Sequence, residues 1–218
     1  MYTILYTCDI VQETKPAMAD WAMNELFPWL PDQPFAFHRS LRSVGIDSPE
    51  LVAYFDFDDE SSAQTFWGSD AWKTALAKFK TFTRNQREYR LTESPLSGEG
   101  IAGTQTGTAN YTILYTCDVI PEMKQDMGDW AQGFFPWLRK QPFVFHRSMR
   151  SAGMDSPELV AWFDFEDAAS AQALWSTEEW AEVVARFRRY TRNQREYRLG
   201  ASPLSGAGLH GKQRRGAP

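Results

Sequence analysis

The feature that most constrains this chain is an internal duplication. FAFHRSLRSVGIDSPELVAYFDFD at residues 35–58 recurs as FVFHRSMRSAGMDSPELVAWFDFE at residues 143–166. YTILYTCD at 2–9 returns at 111–118, TRNQREYRL at 83–91 returns at 191–199, and SPLSG at 94–98 returns at 202–206. The chain therefore reads as one domain of about 100 residues written twice, each copy large enough for a modest core. Two copies at so long a period exclude a solenoid, which stacks many short repeats. The expected division is a first repeat over 1–97, a flexible linker over 98–110, a second repeat over 111–206 and a disordered tail over 207–218. The linker, GEGIAGTQTGTAN, is rich in Gly and Thr, and the tail ends in basic HGKQRRGAP. The offset between copies is 109 at Cys8/Cys117 and 108 at His38/His146, so one residue is lost in the first helix, where ELFPWL becomes FFPWL.

Charge and composition then remove whole classes. The net charge is −5, with basic and acidic residues intermingled outside the tail. A nucleic-acid binder needs a basic face, so no nucleic-acid partner is expected. No apolar run reaches the roughly 18 residues of a transmembrane helix. MYTILYTCD lacks the basic region and apolar run of a signal peptide, so no membrane partner is expected either. The two cysteines, Cys8 and Cys117, are too few for a secreted disulfide scaffold. They read as reduced, buried thiols of a cytoplasmic protein, with a bridge between the equivalent positions as the alternative. Aromatics make up 15% of the chain, including nine Trp. Two small cores need fewer large rings, so some are expected to line a cavity for a flat apolar ligand.

Patterning gives the elements. Residues 3–11 alternate as a strand, with Tyr2, Ile4, Tyr6 and Cys8 on one side and Thr3, Leu5, Thr7 and Asp9 on the other. A helix follows over 16–29, opened by Pro16. Strands over 35–44 and 50–57 flank the turn Gly45-Ile-Asp-Ser-Pro49 and should form an antiparallel hairpin. Ala63, Phe66, Trp67, Trp72, Leu76 and Phe79 mark the apolar face of a second helix, with a break expected near Gly68–Ser69. A fourth strand covers 81–91. The order β-α-β-β-α-β is the ferredoxin-like unit, with both helices on one face of an antiparallel sheet. The bare face must be covered, and the second copy is the obvious cover. The fold class is therefore α+β: two tandem ferredoxin-like repeats packing their sheets face to face as a pseudo-dimeric α/β barrel. A monomeric pseudo-dimer or a homo-oligomer is expected.

This pattern resembles the dimeric α/β-barrel superfamily, which includes antibiotic-biosynthesis monooxygenases, polyketide cyclases, muconolactone isomerases and heme-degrading monooxygenases. The resemblance covers the element order of both halves and a local run: a third strand, a Ser/Ala-rich helix, Trp67 or Trp175, then SxxW at 69–72 or TxxW at 177–180. It implies a small enzyme for an aromatic or polyketide-like molecule, by cofactor-independent monooxygenation or by cyclisation or isomerisation. A non-catalytic aromatic-ligand or heme binder is the alternative. In the monooxygenases a Trp, an Asn and an Arg surround the cavity. The nearest types here are Trp67 with Asn85 and Arg87, and Trp175 with Asn193 and Arg195. In heme-degrading members the axial histidine sits on the second helix, where QTFWGSDAW and QALWSTEEW carry none.

The residues themselves suggest a base. Pairing Ser43 with Leu51 sets His38 opposite Asp56, Ser40 opposite Tyr54 and Arg42 opposite Val52. His38, Arg42, Tyr54 and Asp56 would then face the barrel interior, as would His146, Arg150, Trp162 and Asp164. A histidine oriented by a carboxylate can abstract a proton, and an arginine can hold the resulting anion. The same pair could equally be a buried structural hydrogen bond, or a metal or heme ligand. TRNQREYRL is polar for a strand and could line the cavity or protect a sheet edge. With no phosphate loop, nucleophile elbow or dinucleotide fingerprint, no cofactor is expected, and the ligand spacings offer no dedicated metal site.

Overall fold

A computed structural model describes residues 1–45, 47–94, 109–153, 155–203 and 208–212. The chain divides into two compact units, one of Met1–Leu91 with Ala201–Pro218 and one of Thr92–Gly200. The break thus falls at Leu91 rather than at 97, and the C-terminal segment belongs to the first unit. Residues 98–108 of the expected linker lie outside the described residues. Asn110 donates its N–H to the Phe165 carbonyl at 3.2 Å.

In the first unit β1 (Tyr2–Ile10) is followed by α1 (Lys15–Trp21), which continues through a π-helical turn (Ala22–Leu26) into α2 (Phe27–Trp29). Then come β2 (Phe37–Ser43), β3 (Leu51–Phe57), α3 (Glu60–Gly68), α4 (Asp70–Lys80) and β4 (Thr83–Glu93). The strand order β4-β1-β3-β2 is ferredoxin-like. The second unit repeats it with β5 (Tyr111–Val119), α5 (Lys124–Leu138), β6 (Phe145–Ser151), β7 (Leu159–Phe165), α6 (Ala168–Trp175), α7 (Glu178–Tyr190) and β8 (Thr191–Ala201). Its order is β8-β5-β7-β6. No helix among the described residues is long and apolar enough to cross a membrane.

The helix differences have local causes. Ser69 ends α3 in an extended conformation, and its Oγ accepts the Trp72 N–H at 3.2 Å to cap α4. The expected break therefore lies where a cap residue sits. The π turn absorbs the extra residue of the first copy: the Phe27 N–H reaches back to the Ala22 carbonyl, one residue beyond the α-helical partner. The matching helix α5, one residue shorter across this stretch, is α-helical throughout.

The tail departs from expectation. Leu209–His210 form β9, an antiparallel strand on the edge of β2 that sets His210 beside Phe37 and Leu209 beside His38. Unpaired strand groups invite pairing, and β9 takes those at the Phe37–His38 end of β2. Gly208, at φ +101°, passes against the Phe37 ring, and Gly211 passes against the carbonyls of Gln33 and Phe35, where no Cβ fits. Residues 213–218 lie outside the described residues.

The hairpin register differs by one residue from the expected pairing. Arg42 pairs with Leu51, His38 with Phe55 and Phe37 with Asp56; in the second unit Arg150 pairs with Leu159, His146 with Phe163 and Phe145 with Asp164. A one-residue slip turns every side chain of a strand over. On β2 the set that meets the helices is the polar one, His38, Ser40 and Arg42, while Arg39 sits among Phe37 and Leu41 on the other face, so hydrophobic pattern alone does not select the register.

In each unit one sheet face meets the helices. Tyr2, Ile4, Phe55 and Phe57 pack with Phe66 and Trp72, while Tyr6, Cys8 and Leu51 pack with Met18 and Trp21. Tyr111, Ile113, Phe163 and Phe165 pack with Leu174 and Trp180.

Candidate active site

The register places His38 and His146 on the helix-covered face. Each imidazole stacks on the phenylalanine opposite it, His38 on Phe55 at 4.1 Å between centroids and His146 on Phe163 at 4.3 Å. Both are buried, at 3% and 2% exposure. Neither carries the expected hydrogen bond to a carboxylate. His38 Nδ1 lies 2.9 Å from the Tyr54 carbonyl, and His146 Nδ1 lies 2.6 Å from the Trp162 carbonyl. A carbonyl only accepts, so Nδ1 carries the proton and Nε2 presents a lone pair.

Burial pushes both imidazoles down to about 4, against the opposing pull of the carbonyl bonds; at His38 the charge of Asp56 opposes burial more weakly still. Both rings are neutral near pH 7. His38 Nε2 has a neighbour in Ser40 Oγ at 3.3 Å. His146 Nε2 has no hydrogen-bond partner among the described residues. A buried acceptor left open is costly unless a ligand or water completes it.

Each histidine lines a cavity between its sheet and its helices. The first unit's measures about 60 Å3 and includes Tyr6, Trp21, His38, Phe55, Trp72 and Phe79. The second unit's measures about 90 Å3 and is walled by Trp130, Phe134, Phe163, Trp175, Trp180 and Phe187 around His146. Trp130 and Phe134 are cavity residues that the sequence reading did not single out, and Trp180 entered there only as the end of the TxxW run. Their signal was the 3.6-residue apolar period, which marks core and cavity walls alike.

The other expected site residues scatter. Asp56 and Asp164 are buried but lie on the opposite sheet face, accepting from Thr3 Oγ1 at 2.6 Å and Thr112 Oγ1 at 2.5 Å. The Tyr54 and Trp162 side chains share that face, near the Phe37 ring and the Arg147 guanidinium. They contribute backbone oxygens, not side chains, to the histidines. Arg42 and Arg150 reach carboxylates of their own units, Glu50 Oε1 at 3.4 Å and Glu158 Oε1 at 3.3 Å, beside Lys15 and Lys124. Arg42 still lines the first cavity; Arg150 is not in the second cavity's lining.

Asn85 and Asn193, both at φ 54°, donate to Asp9 and Asp118 at 2.7 Å. The same carboxylates accept from Ser48 and Ser156 and from the N–H groups of Glu50 and Glu158, so these asparagines brace the hairpin loop. Arg87 and Arg195 are exposed and line neither cavity. Trp67 and Trp175 bond Glu88 and Glu196 through Nε1 and pack on Trp72 and Trp180; of the two, only Trp175 lines a cavity. The cysteines are free and buried, and burial pushes both thiols up to about 12. No group of three metal-ligating side chains occurs among the described residues.

No family model matches this chain. No curated protein matches it either. Solved structures do. A protein provisionally named a monooxygenase, from Fusobacterium nucleatum, superposes with a TM-score of 0.69 at 10% identity, covering 96% of this chain and 94% of that one. An anthrone oxidase-like protein gives 0.61 at 14% identity over 92% and 91%. The likeness is one of fold. A chlorite dismutase variant from Candidatus Nitrospira defluvii shares it, at 0.57 and 15% identity over 94% and 92%. A heme does not suit either histidine. The cavities they line are far below the roughly 300–1,000 Å3 of ordinary ligand sites, and the described parts of α4 and α7 carry no histidine.

Proposed function

We propose that the second unit is a small-molecule enzyme site, in which His146 Nε2 takes a proton from a one-ring phenol or enol and the resulting carbanion reacts with O2 without a cofactor. The observation that carries this reading is the open lone pair of a buried, neutral histidine inside an aromatic cavity. A volume of about 90 Å3 is below the ~150 Å3 that takes up benzene, so even one ring enters only with outward movement of the cavity walls, which narrows the expected substrate from polyketide-like to single-ring. The Trp162 carbonyl, rather than a carboxylate, holds the tautomer and steadies the imidazolium that forms. In the oxygenation the charge-bearing carbon, a CH2 in the keto tautomer of the phenol or enol, becomes C=O. One oxygen atom of O2 enters the product and the other leaves as water. All four electrons come from the substrate, so no external reductant is needed. Names of structural neighbours, a monooxygenase and an anthrone oxidase-like protein, support the same reaction type.

The test is O2 uptake with a panel of one-ring phenols and enols by wild type, His146→Asn and His38→Asn. Loss of roughly 10²-fold or more in His146→Asn, with His38→Asn near wild type, is expected. Equal turnover in His146→Asn and wild type would sink the proposed base. A second reading, ligand binding without turnover, is favoured by the low basicity of His146. It predicts saturable binding with no O2 uptake by any variant.

A further inference from the structure

The second unit carries a groove of about 440 Å3 between α5 and α7, different in character from the apolar cavity. Its floor is aromatic: Trp130 stacks on Phe134 with centroids 4.5 Å apart and 14° between planes, and Trp137 lies 5.8 Å from Phe134. Its rim is acidic. Asp129, Glu179 and Glu182 are exposed there, and Glu179 also accepts the Trp137 indole N–H. Arg186 is the cation of the lining, so three carboxylates face one guanidinium. Trp130, Phe134 and Val183 line both the groove and the cavity that holds His146.

The first unit keeps Asp20, Trp21 and Trp29 in place of Asp129, Trp130 and Trp137 but lacks the other parts. Leu26 stands for Phe134, Ala71 for Glu179 and Thr74 for Glu182. The asymmetry matches that of the histidines, since the open Nε2 is also in the second unit.

We infer that the second unit binds a phenol bearing a positively charged amine on a short side chain. The ring occupies the cavity with its hydroxyl on His146 Nε2, and the chain runs out along the Trp130–Phe134 wall. The ammonium rests on the aromatic floor among Asp129, Glu179 and Glu182. An ammonium over Trp and Phe faces gains from their quadrupoles, and the carboxylates add Coulomb attraction that salt screens. This inference rests on the reading that the cavity takes a ring beside His146.

Isothermal titration with tyramine, 4-propylphenol and tetramethylammonium separates the two ideas. Wild type should bind tyramine roughly tenfold more tightly than 4-propylphenol. In Glu179→Gln/Glu182→Gln that preference should disappear while 4-propylphenol binding stays, and raised salt should erode it in wild type. His146→Asn should weaken both phenols alike. Equal or weaker tyramine binding, or a preference that survives the double substitution, overturns the charge-recognising groove. Binding of tetramethylammonium that depends on Glu179 and Glu182, without any binding of 4-propylphenol, overturns the ring's place in the cavity and upholds the cation site. No binding of any probe overturns both.

Discussion

His146 Nδ1 lies 2.6 Å from the carbonyl oxygen of Trp162, and that single contact decides which ring nitrogen faces the cavity. Nε2 is left as a buried acceptor in an apolar wall. The same contact exists at His38 and Tyr54, so the duplicated hairpin carries its histidine orientation within the backbone.

Acid should weaken the fold in a window set by these histidines. Their folded values are near 4 against an ordinary 6.5, so between those limits the unfolded chain binds protons that the native chain refuses. Stability is complete above about pH 6.5 and falls as pH drops through 4, by on the order of 3 kcal/mol per histidine. Denaturant midpoints across this range should show the slope, and His38→Asn/His146→Asn should flatten it. A wild type as stable at pH 4.5 as at pH 7 would contradict it.

The loop brace makes Asn85 structural. Asn85→Ala loses the bond to Asp9 and puts a Cβ residue without local hydrogen bonding at φ 54°, which should cost about 1–3 kcal/mol. Asn85→Gly loses the bond but not the conformation, so it should cost less. Urea unfolding checks the order; an alanine variant more stable than the glycine variant would refute the strain half of the account.

The π turn predicts an asymmetric response to deletion. Removing Glu25 should give the first unit the helix length of α5 and leave it folded, with the 22–26 stretch turned α-helical. Removing Gln132 from α5 instead rotates everything after it by about 100° and should unfold the second unit. Amide exchange in each unit reads the outcome; tolerance of both deletions alike would dissociate the π turn from the extra residue.

Gly211→Ala should release the C-terminal strand. A Cβ there meets the Gln33 carbonyl at 2.7 Å and the Phe35 carbonyl closer still. Faster exchange of β2 edge amides and proteolysis after residue 208 are expected, with β1 and β3 unaffected. Unchanged protection of β2 would show that β9 adds nothing to that edge.

Much of the fold was legible in the chain. Duplication announced two like units, and turn residues with periods of 2 and 3.6 announced β-α-β-β-α-β in each. Ser69 marked the helix break, and the offset change from 109 to 108 marked where the helices differ. The expected site was less legible. His38 and Asp56 recur in both copies, yet they stand on opposite faces of the sheet. Strand alternation says which side chains of one strand share a face, but relating two strands requires their register. That register depends on the loop hydrogen bonds to Asp9 and on packing against the helices, which join residues far apart in sequence. Periodicity is local and survives in the sequence; pairing is long-range, and only the tertiary structure settles it.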